Sequence, residues 1–187
     1  MQFFLKLFLF MTAFLLLQAC NRSLSPTELD ASVKTGSIYY TQVSIMYEKG
    51  HHKTTNYRRG KLLPINTPVK LLDISRKRMT VEIQPSGAQL LIVNVIKHTG
   101  DDTTQAFKKL FGINKVNLSG LTALEKRNVL AGKVDTGMRK KAVLAAIGYP
   151  PRIQTPSLDD DQWTYWSSRY NKFMVHFSND RVVKVVD

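Results

Sequence analysis

Few side chains in this 187-residue chain are of types that do chemistry, and their spacing limits what that chemistry is. Adjacent His51 and His52 point apart on a strand or loop, and no Asp, Cys or further His is spaced to complete a metal site. His98 and His176 stand alone in apolar surroundings and read as structural residues. No serine lies in a strand-to-helix elbow, and no glycine-rich run would cradle a phosphate. We expect no catalytic constellation, no metal and no cofactor.

The remaining reactive group is the one cysteine, Cys20. It follows an apolar run from Leu7 to Leu17, with Lys6 as a minimal basic start, the pattern of an export signal over residues 1–19. The run is shorter than the ~18 to 20 residues of a permanent span. Leu17-Gln18-Ala19-Cys20 resembles a bacterial lipobox, although Gln18 departs from the usual small or aliphatic residue. The alternative, an ordinary secretory cut after Ala19, would put bulky Leu17 where that peptidase prefers a small side chain. It would also leave a free thiol in an oxidising compartment. The resemblance implies lipidation of Cys20, and Asn21 is not the aspartate of an inner-membrane retention signal. The expectation is an outer-membrane anchor facing the periplasm, with residues 20–36 as a flexible tether.

Charge is the next signal. Lys and Arg number 27 against 14 Asp and Glu, a net charge of +13 that calls for an anionic partner. The basic residues gather as Arg58, Arg59 and Lys61, as Arg76, Lys77 and Arg78, and as Arg139, Lys140 and Lys141. These nine are candidate contacts to an anionic surface, such as lipid headgroups or an acidic face of an envelope protein. Tyr39, Tyr40, Tyr47 and Tyr57 interleave aromatics with them, as in a nucleic-acid binder, but export argues against nucleic acid, and barrel strands also explain the tyrosines.

Two modules must position these groups. Residues 37–112 alternate apolar runs with Gly, Pro and Asn punctuation, which predicts strands over 38–47, 54–57, 68–74, 78–83 and 89–96. This order, with the turn Leu62-Leu63-Pro64-Ile65-Asn66-Thr67-Pro68-Val69, resembles a small bacterial SH3-like barrel. A short helix from the Asp101–Thr104 caps to Phe111 closes it.

Residues 113–187 predict two helices and three strands. Thr122 and Glu125 form a capping box for the first helix, which Gly132 stops. The second helix spans 137–147, with Asp135 or Thr136 as cap and Gly148 and Pro150 ending it. Val143 and Ile147 are its core residues, facing Trp163, Tyr165, Phe173, Val175 and Phe177 from an antiparallel meander; Val182, Val183 and Val185 supply its last strand. Gly137-Met138, Ile147-Gly148-Tyr149-Pro150, Asp161-Gln162-Trp163-Thr164-Tyr165 and the closing Val175–Val185 segment resemble the SmpA/OmlA (BamE-like) family of outer-membrane lipoproteins. Arg139 departs from the Thr or Ser usual after Gly-Met.

The whole reads as an α+β chain, an SH3-like barrel followed by a two-layer BamE-like domain. The resemblance implies a non-enzymatic scaffold or accessory factor in outer-membrane and envelope assembly. Rival readings are a peptidoglycan-binding lipoprotein that uses the SH3-like module, and a periplasmic inhibitor or sensor. A hydrolase is a distant third, lacking any triad or metal set.

Overall fold

Alternation of inward and outward residues between Pro68 and Val93, interrupted by a bulge between Leu71 and Asp73, builds the centre of the molecule. Strands β5 (Pro68–Ile74), β6 (Arg78–Ile83) and β7 (Ala88–Val93) form an antiparallel meander. Val69, Leu71, Met79, Val81, Leu90 and Ile92 all point to its buried face. Strand β1 (Ile38–Thr41) pairs antiparallel with β5, and β3 (His51–Lys53) joins the far edge parallel to β7. With β8 (Phe111–Gly112) the order is β3-β7-β6-β5-β1-β8, a curled six-stranded sheet. Strands β2 (Ile45–Tyr47) and β4 (Lys61–Leu63) make a separate pair. Two helices, α1 (Ile96–Thr99) and α2 (Thr103–Leu110), follow the meander. The second is capped reciprocally by Asp102 and Gln105, and it seats Phe107 edge-on against Tyr39 at 4.9 Å.

The structure is a computed structural model that describes residues 22–25 and 27–187. The leader 1–19, Cys20 and Asn21 lie outside the described residues. The expected flexible tether is corrected where it is described. Ser23 bridges to Ser75, the Leu24 amide donates to Ile74 O at 2.7 Å, and Val33 is buried in the sheet's core beside Leu24 and Leu29. Three apolar side chains, together with the Lys108–Asp30 ion pair and backbone bonds to Ile74 and Leu71, bind the segment down.

The first predicted strand, 38–47, breaks at Gln42–Ser44. There the Ser44 amide turns away to donate to Ala145 O at 2.9 Å. The stretch 54–57 is not a strand either; Asn56 takes φ +61°, which ends pairing at Lys53.

Helices α3 (Ala123–Ala131) and α4 (Lys140–Ile147) then pack on the antiparallel sheet β11-β10-β9. Its strands are β9 (Gln162–Trp166), β10 (Lys172–Ser178) and β11 (Arg181–Val186). The α3 capping box of Thr122 and Glu125 and its stop at Gly132 lie where the sequence sets them. Helix α4 starts three residues later than expected and uses neither Asp135 nor Thr136 as cap. The Gly137 amide donates to Val182 O and the Val182 amide to Met138 O, both at 2.8 Å, so this stretch extends along β11 before the helix begins. Val143, Ile147, Trp163, Tyr165, Val175 and Phe177 are buried in this second core, and Phe173 packs on its margin. Val182 is buried with them, whereas Val183 and Val185 lie exposed.

The two lobes share a hydrogen-bonded seam. Asn56 Nδ2 donates to Ile147 O at 2.7 Å and to Tyr149 O at 3.0 Å. Ser44 Oγ donates to Val129 O at 3.0 Å. Ile65 from the first lobe belongs to the second core, and Tyr149 packs against the first.

Candidate functional site: a groove of aromatic and basic side chains

Two concavities open on either side of His52, which lines both. The His52 ring is buried, and its Nδ1 lies 2.8 Å from Met46 O. A carbonyl only accepts, so Nδ1 carries the proton and Nε2 is bare. Burial holds its pKa down to about 4, so the ring is neutral at pH 7.

The smaller cavity, about 300 Å³, lies at the seam. Asn56, Tyr149 and Arg152 line it, together with the Lys109–Asp101 ion pair at 2.6 Å. Its Lys109 and Asp101 are committed to each other.

The larger one is a groove of about 730 Å³. One wall is the β2–β3 turn with Tyr47, Glu48, His51 and Lys53; another is α1 with Lys97 and His98; the third is the β9–β10 loop, residues 167–171. The Arg58 amide donates to Trp166 O at 3.0 Å, tying the first lobe's chain to the end of β9 and fixing the third wall against the others. Trp166 is the centre of the floor, with Tyr57 at 5.8 Å and His98 at 5.5 Å between ring centroids. Lys172 Nζ stands 5.5 Å from the Trp166 ring, within cation–π range. At the mouth, Tyr170 is 82% exposed.

The groove's one carboxylate, Glu48, is paired with Arg59 at 2.7 Å. Among the described residues, Lys53, Lys97 and Arg169 have no carboxylate partner, so the groove is net positive. One pair there resembles a nucleophile and its base: Thr55 Oγ1 lies 2.8 Å from His98 Nδ1. Thr55 is 1% exposed, so its hydroxyl orients the ring and cannot meet a substrate. The described residues contain no group of three or more His, Cys, Asp or Glu placed to hold a metal. The arrangement sets cations without carboxylate partners beside aromatic rings.

The nine basic candidates do not form one surface. Arg58 is a correction: its guanidinium lies in the seam, donating to Gly132 O at 3.1 Å and Ile147 O at 3.2 Å. Burial lowers its pKa to about 10, which leaves it charged and spent on carbonyls. Arg139 is also corrected, since it is bound to Glu125. Lys140 is engaged too, donating to Asp159 O at 2.9 Å beneath the second sheet's edge, 5.3 Å from the Phe177 ring. Arg59 sits on the groove rim, and Lys61 and Lys141 are exposed. Arg76, Lys77 and Arg78 share the β5–β6 turn, with Arg76 4.0 Å from Glu28.

Sequence reasoning passed over Trp166, Arg169, Tyr170 and Lys172. Their signal was an aromatic and basic hairpin tip, Trp166-Ser167-Ser168-Arg169-Tyr170-Asn171-Lys172, in which a fully polar turn would have sufficed. Comparison with known protein families, curated proteins and solved structures gives no match.

Proposed function

We propose that this chain is a lipid-anchored envelope protein that works by binding and holding. Cys20 is its acylated first residue, the outer membrane its site, and the periplasm the side it faces. Its role is that of a non-enzymatic scaffold or accessory factor in envelope assembly and integrity. In this reading the curled sheet with β2 and β4 is an elaborated SH3-like module, and α3, α4 and β9–β11 form a BamE-like layer.

One observation supports it most. The fold takes hold of the chain at Ser23, through the bridge to Ser75, only three residues after the candidate lipidation site. Three extended residues span at most about 11 Å. An anchor at Cys20 therefore presses the Ser75 end of the sheet against lipid. Arg76, Lys77 and Arg78 follow directly in that turn, and Arg22 lies beside it. Each basic group near an anionic surface contributes about 1 kcal/mol. Glu28, 2.9 Å from Arg22 and 4.0 Å from Arg76, offsets part of this. Contact over such a distance needs no long reach, because the screening length is about 8 Å at physiological salt.

Mass spectrometry of the mature N-terminus tests the anchor: acyl chains on Cys20 are expected, and an unmodified terminus or retained residues 1–19 would overturn it. A form lacking residues 1–20, mixed with neutral vesicles or vesicles containing phosphatidylglycerol, tests the turn. Binding should require the anionic lipid and fall when 76–78 are reversed in charge. Equal binding to both vesicles would reject the membrane contact.

A further inference from the structure

We propose that the groove between the β2–β3 turn, α1 and the β9–β10 loop binds an oligosaccharide that carries carboxylates. The proposal rests on the reading of the chain as exported, which sets nucleic acid aside, but its geometry is independent of the anchor.

The aromatic rings come first. Tyr57 and Trp166 are inclined by 36° at 5.8 Å, and His98 meets the same indole at 46°. Rings in mutual contact leave no slot for a base to slide between. They make a platform instead, onto which the apolar C–H face of a pyranose ring can settle. Tyr170, mostly exposed on the opposing loop, supplies a second face at the mouth. Such an exposed aromatic gives up ordered water when a ring covers it.

Charge comes second. Lys97 on α1 and Arg169 on the facing loop put cations on separate walls, and Lys53 adds a third on β3. A nucleic-acid track presents a close file of cations along a phosphate backbone. Cations set on separate walls fit a chain whose carboxylates project to either side from successive sugars. The charge of Glu48 is offset by its pair with Arg59.

Size comes third. About 730 Å³ lies within the range of roughly 300–1,000 Å³ for sites that enclose a small ligand. It therefore has room for a few sugar rings. The end of β9 and the preceding 54–59 segment are pinned by the Arg58–Trp166 backbone bond, so the platform is formed before a ligand arrives.

The test is calorimetric titration of the full-length chain in detergent micelles, with three probes of similar length. These are a tetramer of galacturonic acid, neutral tetra-N-acetylglucosamine, and an oligothymidylate. The galacturonate tetramer should bind at least ~10-fold tighter than the neutral one, and its affinity should fall with added salt. Together, Lys97→Gln and Arg169→Gln should weaken it roughly tenfold, and Tyr170→Ala roughly fivefold, without moving the melting temperature. All three side chains are exposed, so loss of folding does not confound the result. Equal affinity for the neutral tetramer, or wild-type binding by the double variant, overturns the proposal. Tighter binding of oligothymidylate overturns it in favour of nucleic acid. An unlipidated Cys20, measured separately, would sink the anchored reading and leave this result standing.

Discussion

The carboxylate of Glu125 on α3 receives both the side chain and the backbone amide of Arg139, with Nε at 2.7 Å and the amide at 3.0 Å. The same group accepts the Thr122 amide at 2.9 Å. One buried anion thus caps α3 from within and stands at the start of α4, where helix geometry leaves unpaired amides and a partial positive charge. It also answers the crowd of cations at 139–141, which a bare helix start would disfavour.

Glu125→Gln should therefore cost about 1–3 kcal/mol, since the carboxylate is buried and hydrogen-bonded while Arg139 is partly exposed to water. Urea midpoints would show it, and the Glu125→Gln/Arg139→Met double variant should recover part of the loss. The hydrogen bond from Arg139 depresses the Glu125 pKa to about 2 from its usual 4.5. The stabilisation is complete above pH 4.5 and is lost as pH falls toward 2.

His52 predicts a separate, higher window. Its pKa is depressed from 6.5 to about 4 by burial, so the unfolded chain takes up the proton first. Stability is complete above pH 6.5 and declines as pH falls to 4, by about 3 kcal/mol. Denaturation of wild type and His52→Gln across that range should show the gap between them closing as the solution is acidified. A gap of constant size would mean that the ring is not held neutral.

The seam depends on Asn56. Asn56→Gly keeps the left-handed backbone at φ +61° and removes only the amide. Ile147 O retains Arg58, but Tyr149 O loses its donor, so a cost of about 1–3 kcal/mol is expected. Gly148→Ala attacks the same place from the other side. At φ +75° and ψ −170° the backbone suits glycine alone, and a Cβ would lie 3.0 Å from Asn56 Nδ2. Calorimetry should show one cooperative transition shifting down in both variants.

Trp163 is 1% exposed, 4.7 Å from the Phe177 ring between α4 and the sheet. Trp163→Ala should cost about 3–5 kcal/mol, and an unchanged melting temperature would contradict its place in the core.

The elements most legible in the sequence were those whose cause is local. The β5 and β6 alternation, the Thr122–Glu125 box and the Gly132 stop depend on residues within a few positions of one another. What escaped depended on distant partners. Nothing near Arg58 announces that carbonyls of residues 132 and 147 will claim it, so it read as a surface cation. Likewise Leu24, Leu29 and Val33 look sparse among Ser, Thr and Asp until a sheet edge is there to receive them. The groove was hidden for the same reason, since its walls come from segments about 120 residues apart along the chain.

The seam also imposes an order on synthesis. Ser44, Asn56 and Arg58 are translated early, but their acceptors lie 74 to 93 residues further on. The β5–β6–β7 meander can zip as it emerges, whereas the first lobe keeps orphaned donors on its flank until α3 and α4 exist. A nascent chain stopped at Gly112 therefore has all six strands of its sheet but a polar, water-seeking flank where its neighbour belongs. Closure of such remote contacts is slow, because the entropy of the intervening loop is lost before the contacts form. Residues made later decide when the earlier ones are done.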